Sequence, residues 1–257
     1  SFGSIRRRRR KARADKTSVF GSWERQNRGL SRFGRAGGAS DKWEEKWRGL
    51  YMNMETAAER LYEIMESRLI KEAALHRESI SPEKTPFLVA VDGRCGAGKT
   101  TFAAFLQEKF GWSVLHMDHF FLRPEQRTKE RLGTPGGNID YERFLEEVLN
   151  PLEKGVREIV YRPFDCHRQE MAESVSIVPA KVCLAEGSYS CHPALWERYD
   201  YHVFLTVDRE EQMRRIVRRN GKENAEIFRE RWIPMEERYF AQCRVEERCE
   251  LCLTIGE

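Results

Sequence analysis

One stretch, FLVAVDGRCGAGKTT from Phe87 to Thr101, limits what this chain can fold into more than any other feature. It opens with the apolar run Phe87–Val91, whose length and β-branched content are typical of a buried strand. A glycine loop follows, matches the pattern G-x-x-x-x-G-K-[ST], and ends at Lys99 and Thr100. Behind the loop, apolar residues recur at helical spacing, namely Phe102, Phe105, Leu106 and Phe110. A strand, a glycine loop and a helix in this order predict a loop that binds phosphate groups.

The glycines of this loop allow backbone conformations in which successive N–H groups turn toward one point. The helix that follows directs the positive end of its dipole at the same point. Lys99 can reach the β- and γ-phosphates of a nucleotide, and the hydroxyl of Thr100 can ligate Mg²⁺. The sequence therefore predicts a site for ATP, or for GTP, together with Mg²⁺. The residues assigned to the nucleotide are Gly93, Arg94, Cys95, Gly96, Ala97, Gly98, Lys99, Thr100 and Thr101.

Apolar runs with the length of strands alternate with helical sequence along the chain. The five runs are Phe87–Val91, Ser113–Met117, Ile159–Tyr161, Val182–Ala185 and His202–Val207, and Leu251–Ile255 is a candidate for a further strand. Such alternation predicts an α/β domain, in which a mainly parallel five-stranded sheet lies between two layers of helices. This is the three-layer α/β/α arrangement of P-loop NTPases. Two breaks are expected in the last helical region, at Asn220-Gly221 and at Pro234.

Two carboxylates follow strands at the edge of the sheet where ligands of open α/β folds bind. Asp118 comes after the second strand, where a carboxylate can accept the proton of an attacking hydroxyl. Glu186 closes the run VCLAEG, where a carboxylate can hold a metal ion through water. The alternatives are a helix cap for Asp118 and a structural role for Glu186. The sequence thus assigns catalysis to Lys99 and Asp118, the metal to Thr100 and Glu186, and the bracing of the loop to Asp92.

Arginines crowd the helix that follows the fifth strand. They are Arg214, Arg215, Arg218 and Arg219, and Arg229 and Arg231 come shortly after them. Guanidinium groups this close together repel one another unless they face anions. An Arg-rich lid that closes on polyphosphate accounts for them, because phosphoryl transfer is catalysed largely by positioning and charge stabilisation. The lid is assigned to Arg215, Arg218 and Arg219, and a solvated helix face is the alternative.

Six motifs follow one another from Phe87 to about Phe240, over about three-fifths of the chain. They are GRCGAGKT, MDHFF, GGNIDYERF, YRPFDCHR, LAEGSY and the Arg-rich lid. In this order they resemble the uridine kinase family of P-loop nucleoside kinases, in particular its bacterial uridine-kinase-like members. The resemblance implies an ATP- or GTP-dependent transfer of the γ-phosphoryl group to the 5′-hydroxyl of a nucleoside, with uridine or cytidine expected first.

The resemblance also implies roles for single residues. Asp118 is the expected base, Glu186 matches the acidic residue near the metal, and Asp140 matches the residue that holds the sugar hydroxyls. The nucleoside pocket is expected to be lined by Phe164, Asp165, His167 and Arg168. Ordinary alternatives are a helix cap for Asp140, a core position for Phe164 and a loop position for His167.

The segment FDCHR departs from the family pattern, which is Tyr-Asp-Phe, a short spacer and His-x-Arg. Phe164 stands in place of the tyrosine, the spacing to His167 is compressed, and His119 stands where a small or acidic residue is common. The phosphate half of the site therefore matches the family, and the half that recognises the base is altered. Kinases for other hydroxyl acceptors, such as pantothenate, nicotinamide riboside or a sugar phosphate, share this scaffold and stay open as the alternative.

Charge is distributed unevenly along the 257 residues. Residues 1–51 carry a net charge of +10, and residues 52–257 carry −6. The basic run Arg6–Lys11 and the Gly/Ser-rich sequence after it favour a disordered arm over residues 1–51. We expect an amphipathic helix and a linker over residues 52–86, and the P-loop kinase domain over residues 87–257.

Two functions of other classes stay open. A regulatory switch that reads guanine usually carries an Asn-Lys-x-Asp motif, and the sequence contains none. A protein that binds RNA would use the basic arm, because the rest of the chain is acidic. A nucleic-acid partner is therefore expected only through that arm.

Cysteine content and hydropathy bear on the compartment. The seven cysteines are an odd number without the spacing of a disulfide framework, and Cys249 and Cys252 lack a second pair that would complete a zinc site. No apolar run reaches the length of a transmembrane helix. We therefore expect a cytoplasmic protein with no membrane partner. Its expected partner is a small-molecule substrate. Whether the protein forms a homo-oligomer stays an open question at this point.

Overall fold

The computed structural model describes residues 51–75 and 86–256 of the chain. The strands of these residues are β1 (Tyr51–Met52), β2 (Phe87–Gly93), β3 (Ser113–His116), β4 (Ile159–Tyr161), β5 (Phe164–Asp165), β6 (Glu170–Met171), β7 (Val175–Ile177), β8 (Val182–Glu186), β9 (Tyr201–Thr206) and β10 (Leu251–Ile255). The central sheet has the order β1-β10-β9-β2-β8-β3, and all its strand pairs are parallel. The predicted basic arm lies outside the described residues, apart from Tyr51 in β1.

Helices connect these strands and cover the sheet. They are α1 (Met54–Leu75), α2 (Lys99–Phe110), α3 (Lys129–Gly133), α4 (Tyr141–Phe144), α5 (Asn150–Glu153), α6 (Arg209–Ile227), α7 (Ile233–Cys243) and α8 (Val245–Arg248). π-helical turns at Leu145–Leu149 and Phe228–Trp232 join α4 to α5 and α6 to α7. The expected break at Asn220-Gly221 is present, because Gly221 has non-helical backbone angles inside α6. At Pro234 the helical backbone continues from the π-helical turn into α7, so the chain changes helix type there without the expected interruption. Within the described ranges, no helix is long and apolar enough to cross a membrane.

The predicted five-stranded parallel sheet is confirmed, with one change of membership. Strands β2, β3, β8, β9 and β10 form it, and β1 adds two residues at the edge. Ile159–Tyr161 was expected in this sheet, but as β4 it pairs antiparallel with β7 outside it. The burial pattern gives the reason: Val160 is 56% exposed between the buried Ile159 and Tyr161, whereas all seven residues of β2 are buried. Alternation marks a strand with one solvent face, and continuous burial marks a strand covered on both faces.

Helix α1 belongs to one of the two apolar layers that cover the sheet. Ala57, Leu61, Met65 and Leu69 are buried at intervals of four residues, so one stripe of α1 faces the core. This stripe packs in one cluster with residues of α2, β2 and β9, while α4 and α7 contribute to the cluster on the other face. The helix is thus part of the core of the sheet. The predicted division of the chain at residues 51 and 86 stays a prediction.

The sheet order determines which loops meet. The glycine loop follows β2, Glu186 ends β8, and Asp118 lies in a 3₁₀ turn directly after β3. Because β2, β8 and β3 are neighbours and run parallel, their carboxyl ends lie side by side. Ligands of open α/β sheets bind at this edge.

Candidate active site

The glycine loop joins β2 to α2 in a tight turn. A Cβ atom on Gly93, at φ +136°, would lie 1.9 Å from the carbonyl oxygen of Leu205 in β9, so only glycine fits there. Gly98 has a left-handed φ of +94° and caps α2 without a side-chain hydrogen bond. The N–H groups at the start of α2 are therefore not bound by a capping side chain. Together with the helix dipole they form a site suited to anions.

Lys99 is held against the loop that precedes it. Its Nζ donates hydrogen bonds to the carbonyl oxygens of Gly93, at 2.6 Å, and Arg94, at 3.2 Å. The side chain is buried, yet it lines the cleft described below. The ammonium group thus sits at the mouth of the loop, where it can meet a phosphate.

Asp92, at the end of β2, braces the loops of the site from beneath. Its Oδ1 accepts hydrogen bonds from the N–H groups of Gly93, at 2.7 Å, and Tyr189, at 3.1 Å. Its Oδ2 accepts from the N–H of Cys191, at 3.0 Å, and the hydroxyl of Tyr239, at 2.9 Å. Burial raises the pKa of this carboxyl, and Lys99 and these hydrogen bonds oppose that effect. Asp92 therefore joins β2, the loop after β8 and α7.

Thr100 and Glu186, the two residues assigned to the metal, lie close to each other. The Thr100 hydroxyl oxygen is 3.4 and 3.5 Å from the two carboxylate oxygens of Glu186. Nδ1 of His116 is 2.5 Å from Oε1 of Glu186, and this hydrogen bond raises the pKa of His116. Within the described part of the chain, no three His, Cys, Asp or Glu side chains could hold a metal ion. Hydroxyl and carboxylate oxygens suit Mg²⁺, which usually completes its shell with phosphate oxygens and water.

Asp118 faces the cleft next to the loop after β8. The N–H of Ser188 donates to its carboxylate, and a Cβ atom on Gly187 would lie 2.9 Å from its Oδ1. The residue is open to the cleft, yet the protein around it removes much of the bulk water. This desolvation raises the pKa of Asp118 to about 6, with Lys99 opposing the rise and Glu186 and Glu236 adding to it. A carboxylate with such a pKa can accept a proton near neutral pH.

One cleft of about 1720 Å³ brings most of the assigned residues together. Those that line it are Cys95, Gly96, Gly98, Lys99, Thr100, Thr101, Asp118, Phe164, Asp165, His167, Glu186, Arg215, Arg218 and Arg219. The assigned residues that do not line it are Gly93, Arg94, Ala97, Asp140 and Arg168.

Two of these residues are engaged in other contacts. The Arg94 guanidinium turns away from the cleft, donates to Glu237 at 2.7 Å, and donates to the Thr206 hydroxyl at 2.7 Å. Asp140 is buried and caps α4, since its Oδ1 accepts from the N–H of Arg143 at 3.2 Å. This is the helix-cap role named above as its alternative. The expected role of Asp140 in holding a sugar stays a prediction.

The segment FDCHR forms the turn of a short hairpin between β5 and β6. Oδ1 of Asp165 accepts hydrogen bonds from the N–H groups of His167, at 2.8 Å, and Arg168, at 3.1 Å, which lower its pKa. The Asp165 carboxylate therefore stabilises the turn. The Arg168 side chain is 75% exposed and pairs with Glu170 at 3.7 Å. Phe164 is buried at the base of the hairpin and borders the cleft.

The lid arginines lie on α6, next to the phosphate loop. Nε of Arg215 pairs with Glu211 at 2.7 Å, and its Nη1 is 3.3 Å from the carbonyl oxygen of Gly96. Among the described residues, Arg218 and Arg219 form no ion pair with a carboxylate. Both line the cleft, so their charges are available to an anion bound there.

Glu236 in α7 is a site residue that the sequence did not indicate. Its Oε2 accepts from the N–H of Cys95 in the phosphate loop at 3.0 Å, and its Oε1 accepts from the Ser188 hydroxyl at 2.7 Å. The side chain is only 5% exposed and borders the cleft. Cys95 lies 141 residues away in the chain, so no local pattern could reveal the contact.

Arg127, in the loop after β3, is a second residue that the sequence did not indicate. It lines the cleft on the side of the hairpin, and its guanidinium lies 5.8 Å from the ring centroid of Phe164. Its Nη1 donates to Oε1 of Gln169 at 2.8 Å, and its Nε donates to the carbonyl oxygen of Leu122 at 3.0 Å. No carboxylate in the described ranges forms an ion pair with it.

Known proteins resemble the chain in sequence at low identity. No family model matches it. A dephospho-CoA kinase from Thermus thermophilus is 26% identical over 165 residues, which are 60% of this chain and 79% of the relative. A uridine kinase from Clostridium botulinum is 25% identical over 145 residues, which are 53% of this chain and 68% of the relative.

Solved structures share the fold. The structure of a possible uridine kinase from Bacillus stearothermophilus superposes with a TM-score of 0.51 and 16% identity, over 74% of this chain and 98% of that one. This match confirms the predicted three-layer P-loop fold. The sequence relatives confirm the predicted enzyme class, a phosphotransferase, and the resemblance to uridine kinases. The two relatives are named for different substrates, so the comparisons leave the acceptor open.

Proposed function

We propose that this chain transfers the γ-phosphoryl group of ATP, or of GTP, to a hydroxyl group of a small molecule, with Mg²⁺ as the metal. The first candidate acceptor is the 5′-hydroxyl of a nucleoside such as uridine or cytidine. The observation that carries the proposal is that Lys99, Thr100, Asp118 and Glu186 line one and the same cleft. A phosphate loop, a pair of metal ligands and a base are the parts that phosphoryl transfer requires.

Different residues of the chain bind the phosphates, hold the metal and accept the proton. Lys99, the N–H groups at the start of α2, and Arg218 and Arg219 on the lid neutralise the charge of the phosphates. Thr100 and Glu186 would hold Mg²⁺, which supplies further charge neutralisation at the phosphates when it is bound. Asp118 accepts the proton of the acceptor hydroxyl, because desolvation brings its pKa to about 6.

Support for a nucleoside comes from the resemblance to uridine kinases and from the cleft wall near Asp118. The largely buried Phe164 borders that part of the cleft with the edge of its side chain, so stacking on its ring would require the hairpin to adjust. An aromatic ring can stack on a nucleobase, a contact worth about 1–3 kcal/mol.

An acceptor that carries a carboxylate or phosphate is the second candidate, and Arg127 is the observation that favours it. The residue is a cation in the wall of the cleft on the hairpin side, and no described carboxylate pairs with it. Such a guanidinium matches the geometry of an anionic group. Pantothenate and sugar phosphates belong to this class of acceptor, and uridine and cytidine do not.

The test is an assay of ATP- and GTP-dependent phosphorylation across uridine, cytidine, nicotinamide riboside, pantothenate, sugars and sugar phosphates, with mass spectrometry of the products. Phosphorylated uridine or cytidine would support the first candidate. Lys99→Ala should abolish turnover, and Lys109→Ala, at the exposed end of the same helix, should retain it. Nucleotide binding without turnover of any acceptor would contradict the proposed transfer.

Arg127→Gln separates the two candidates. Loss of a charged hydrogen bond to an anionic acceptor costs about 1.5–3 kcal/mol, so KM for that acceptor should rise about 10- to 100-fold. KM for ATP should not change, because Arg127 lies away from the phosphate loop. If the substrate is a neutral nucleoside, the KM for the acceptor should stay within about twofold of the wild-type value.

A further inference from the structure

Met54, which follows the short strand β1, lines part of the cleft. Strand β1 pairs parallel with β10, and the N–H of Gly256 donates to the carbonyl oxygen of Met52 at 3.1 Å. The chain then turns into α1, whose first residue, Met54, lines the cleft with Ile255 and Gly256. A segment expected to precede the catalytic domain thus reaches the site.

Met54 is positioned by the start of its helix. Oδ1 of Asn53 accepts from the N–H of Thr56 at 2.8 Å, and its carbonyl oxygen accepts from the N–H of Ala57 at 3.1 Å. The side chain of Met54 is half-buried and reaches the phosphate loop, because a Cβ atom on Gly98 would lie 2.5 Å from Met54 Cε. The thioether therefore borders both the end of β10 and the start of α2.

The sheet order gives the direction of a bound nucleotide. The phosphate loop follows β2, while the expected base Asp118 and the metal residue Glu186 follow β3 and β8 on one side of it. Strands β9 and β10 lie on the other side of β2. Because the γ-phosphate must face the acceptor near Asp118, the nucleobase must extend the opposite way, toward the end of β10.

We propose that Met54 forms part of one wall of the nucleobase pocket and contacts the base of the bound nucleoside triphosphate. A methionine suits this position, because its flexible, polarisable thioether makes favourable contacts with aromatic rings. The inference rests on the proposed function in one respect, namely that a nucleoside triphosphate binds at the phosphate loop. It does not depend on which acceptor is phosphorylated.

The test compares ATP with inorganic tripolyphosphate, which has the phosphates and lacks both the ribose and the base. Dissociation constants are measured by calorimetry with the full chain, for wild type, Met54→Ala, Met54→Leu and Ile70→Ala. Met54→Ala should weaken ATP binding about 3- to 10-fold and leave tripolyphosphate binding unchanged. Met54→Leu, which keeps most of the contact area, should stay within about twofold of wild type for ATP. Ile70, 66% exposed on the same helix, is the control, and Ile70→Ala should bind both ligands as wild type does.

Each other result overturns the inference in a distinguishable way. Unchanged ATP binding in Met54→Ala would remove Met54 from the base pocket. Equal weakening of ATP and tripolyphosphate would show that Met54 acts through the phosphate loop at Gly98 and not on the base. A wild-type protein that binds neither ligand would overturn the proposed function together with this inference. Thermal unfolding of each variant shows whether it is folded.

Discussion

The two ends of the cleft are built in different ways. At the phosphate end, the lining comes mainly from one continuous loop between β2 and α2, and buried side chains hold the backbone of this loop. Asp92, Gln212 and Glu236 are all at most 5% exposed, and each accepts from or donates to a main-chain group of the loop. At the acceptor end, the lining comes from a 3₁₀ turn, the loop after it and a two-residue-strand hairpin.

This difference indicates which part of the proposed reaction depends on the fold, namely the binding of the phosphates, and which part depends on variable side chains, namely the binding of the acceptor. In the proposed function, the phosphate end uses backbone N–H groups together with Lys99 and the lid arginines, and these groups face the nucleotide whatever small molecule receives the phosphoryl group. The acceptor end uses side chains on loops, which can change without disturbing the sheet. Two sequence relatives are named for different substrates, dephospho-CoA and uridine, so proteins that resemble this chain differ in the acceptor they are named for.

Among the changes that compare the two ends, the largest expected effect is at Asp118, where the ends meet. Asp118→Asn removes the group that accepts the proton and keeps the size of the side chain. We expect the kcat of phosphoryl transfer to fall about 10²- to 10⁴-fold, the usual contribution of general base catalysis. Binding of ATP should change little, because the loop and Lys99 are intact. Steady-state kinetics and calorimetry measure the two quantities separately.

The matched control for this change is Asp165→Asn at the other side of the acceptor end. The Asp165 carboxylate accepts two backbone hydrogen bonds of the hairpin turn, and the amide oxygen of asparagine can accept them as well. This variant should keep kcat within about tenfold. If Asp118→Asn retained near-normal turnover, Asp118 would lose its role as the base.

The contrast also explains how much the sequence could predict. The strand, glycine loop and helix of 87–110 are contiguous, so their pattern determines both structure and chemistry. Asp118 and Glu186 were placed at the cleft because they follow strands of a parallel sheet, a rule that needs only the strand order. Strand β4 was assigned to the central sheet because a three-residue apolar run does not distinguish a central strand from a strand of a small two-stranded sheet.

Residues joined by tertiary contacts were beyond sequence reasoning. Glu236 reaches Cys95 across 141 residues, and Met54 reaches the loop from a helix expected to lie outside the catalytic domain. Arg127 lies in a polar loop, where the sequence alone predicts a solvent-exposed arginine. Arg94 belongs to the motif, yet it turns to Glu237 because a loop residue's side chain can point to either face.

Asp92→Asn tests whether the phosphate end depends on its buried support. One oxygen of asparagine can still accept from Gly93 and Tyr189, but the amide nitrogen cannot accept from the N–H of Cys191. Leaving that buried group unsatisfied should lower the free energy of unfolding by about 1–3 kcal/mol, measured by denaturant unfolding. The exposed turn offers the comparison, since Asp165→Asn should cost less than about 1 kcal/mol. Equal losses at the two sites would contradict the contrast between the ends.

The smallest expected effect is electrostatic and links the two ends. A base works when it is deprotonated, so kcat/KM should fall as the pH falls through about 6, the pKa to which desolvation raises Asp118. The negative charge of Glu236 contributes to that raised pKa. Glu236→Gln removes the charge and keeps hydrogen-bonding groups for Cys95 and Ser188, so the pKa of Asp118 should be lower.

In a pH profile of kcat/KM, the Glu236→Gln variant should therefore retain a larger share of its maximal rate at pH 5 than the wild type does. The difference should be about twofold, the size expected for one charge acting partly across solvent. Glu237→Gln is the control, because Glu237 neighbours Glu236 in α7 but pairs with Arg94 outside the cleft. A profile that moved equally in both variants would mean that the charge of α7 as a whole, and not the carboxylate bound to the phosphate loop, acts on Asp118. The pKa of Asp118 at the acceptor end would then depend on the summed electrostatic field of the protein and not on the contact between Glu236 and the phosphate loop.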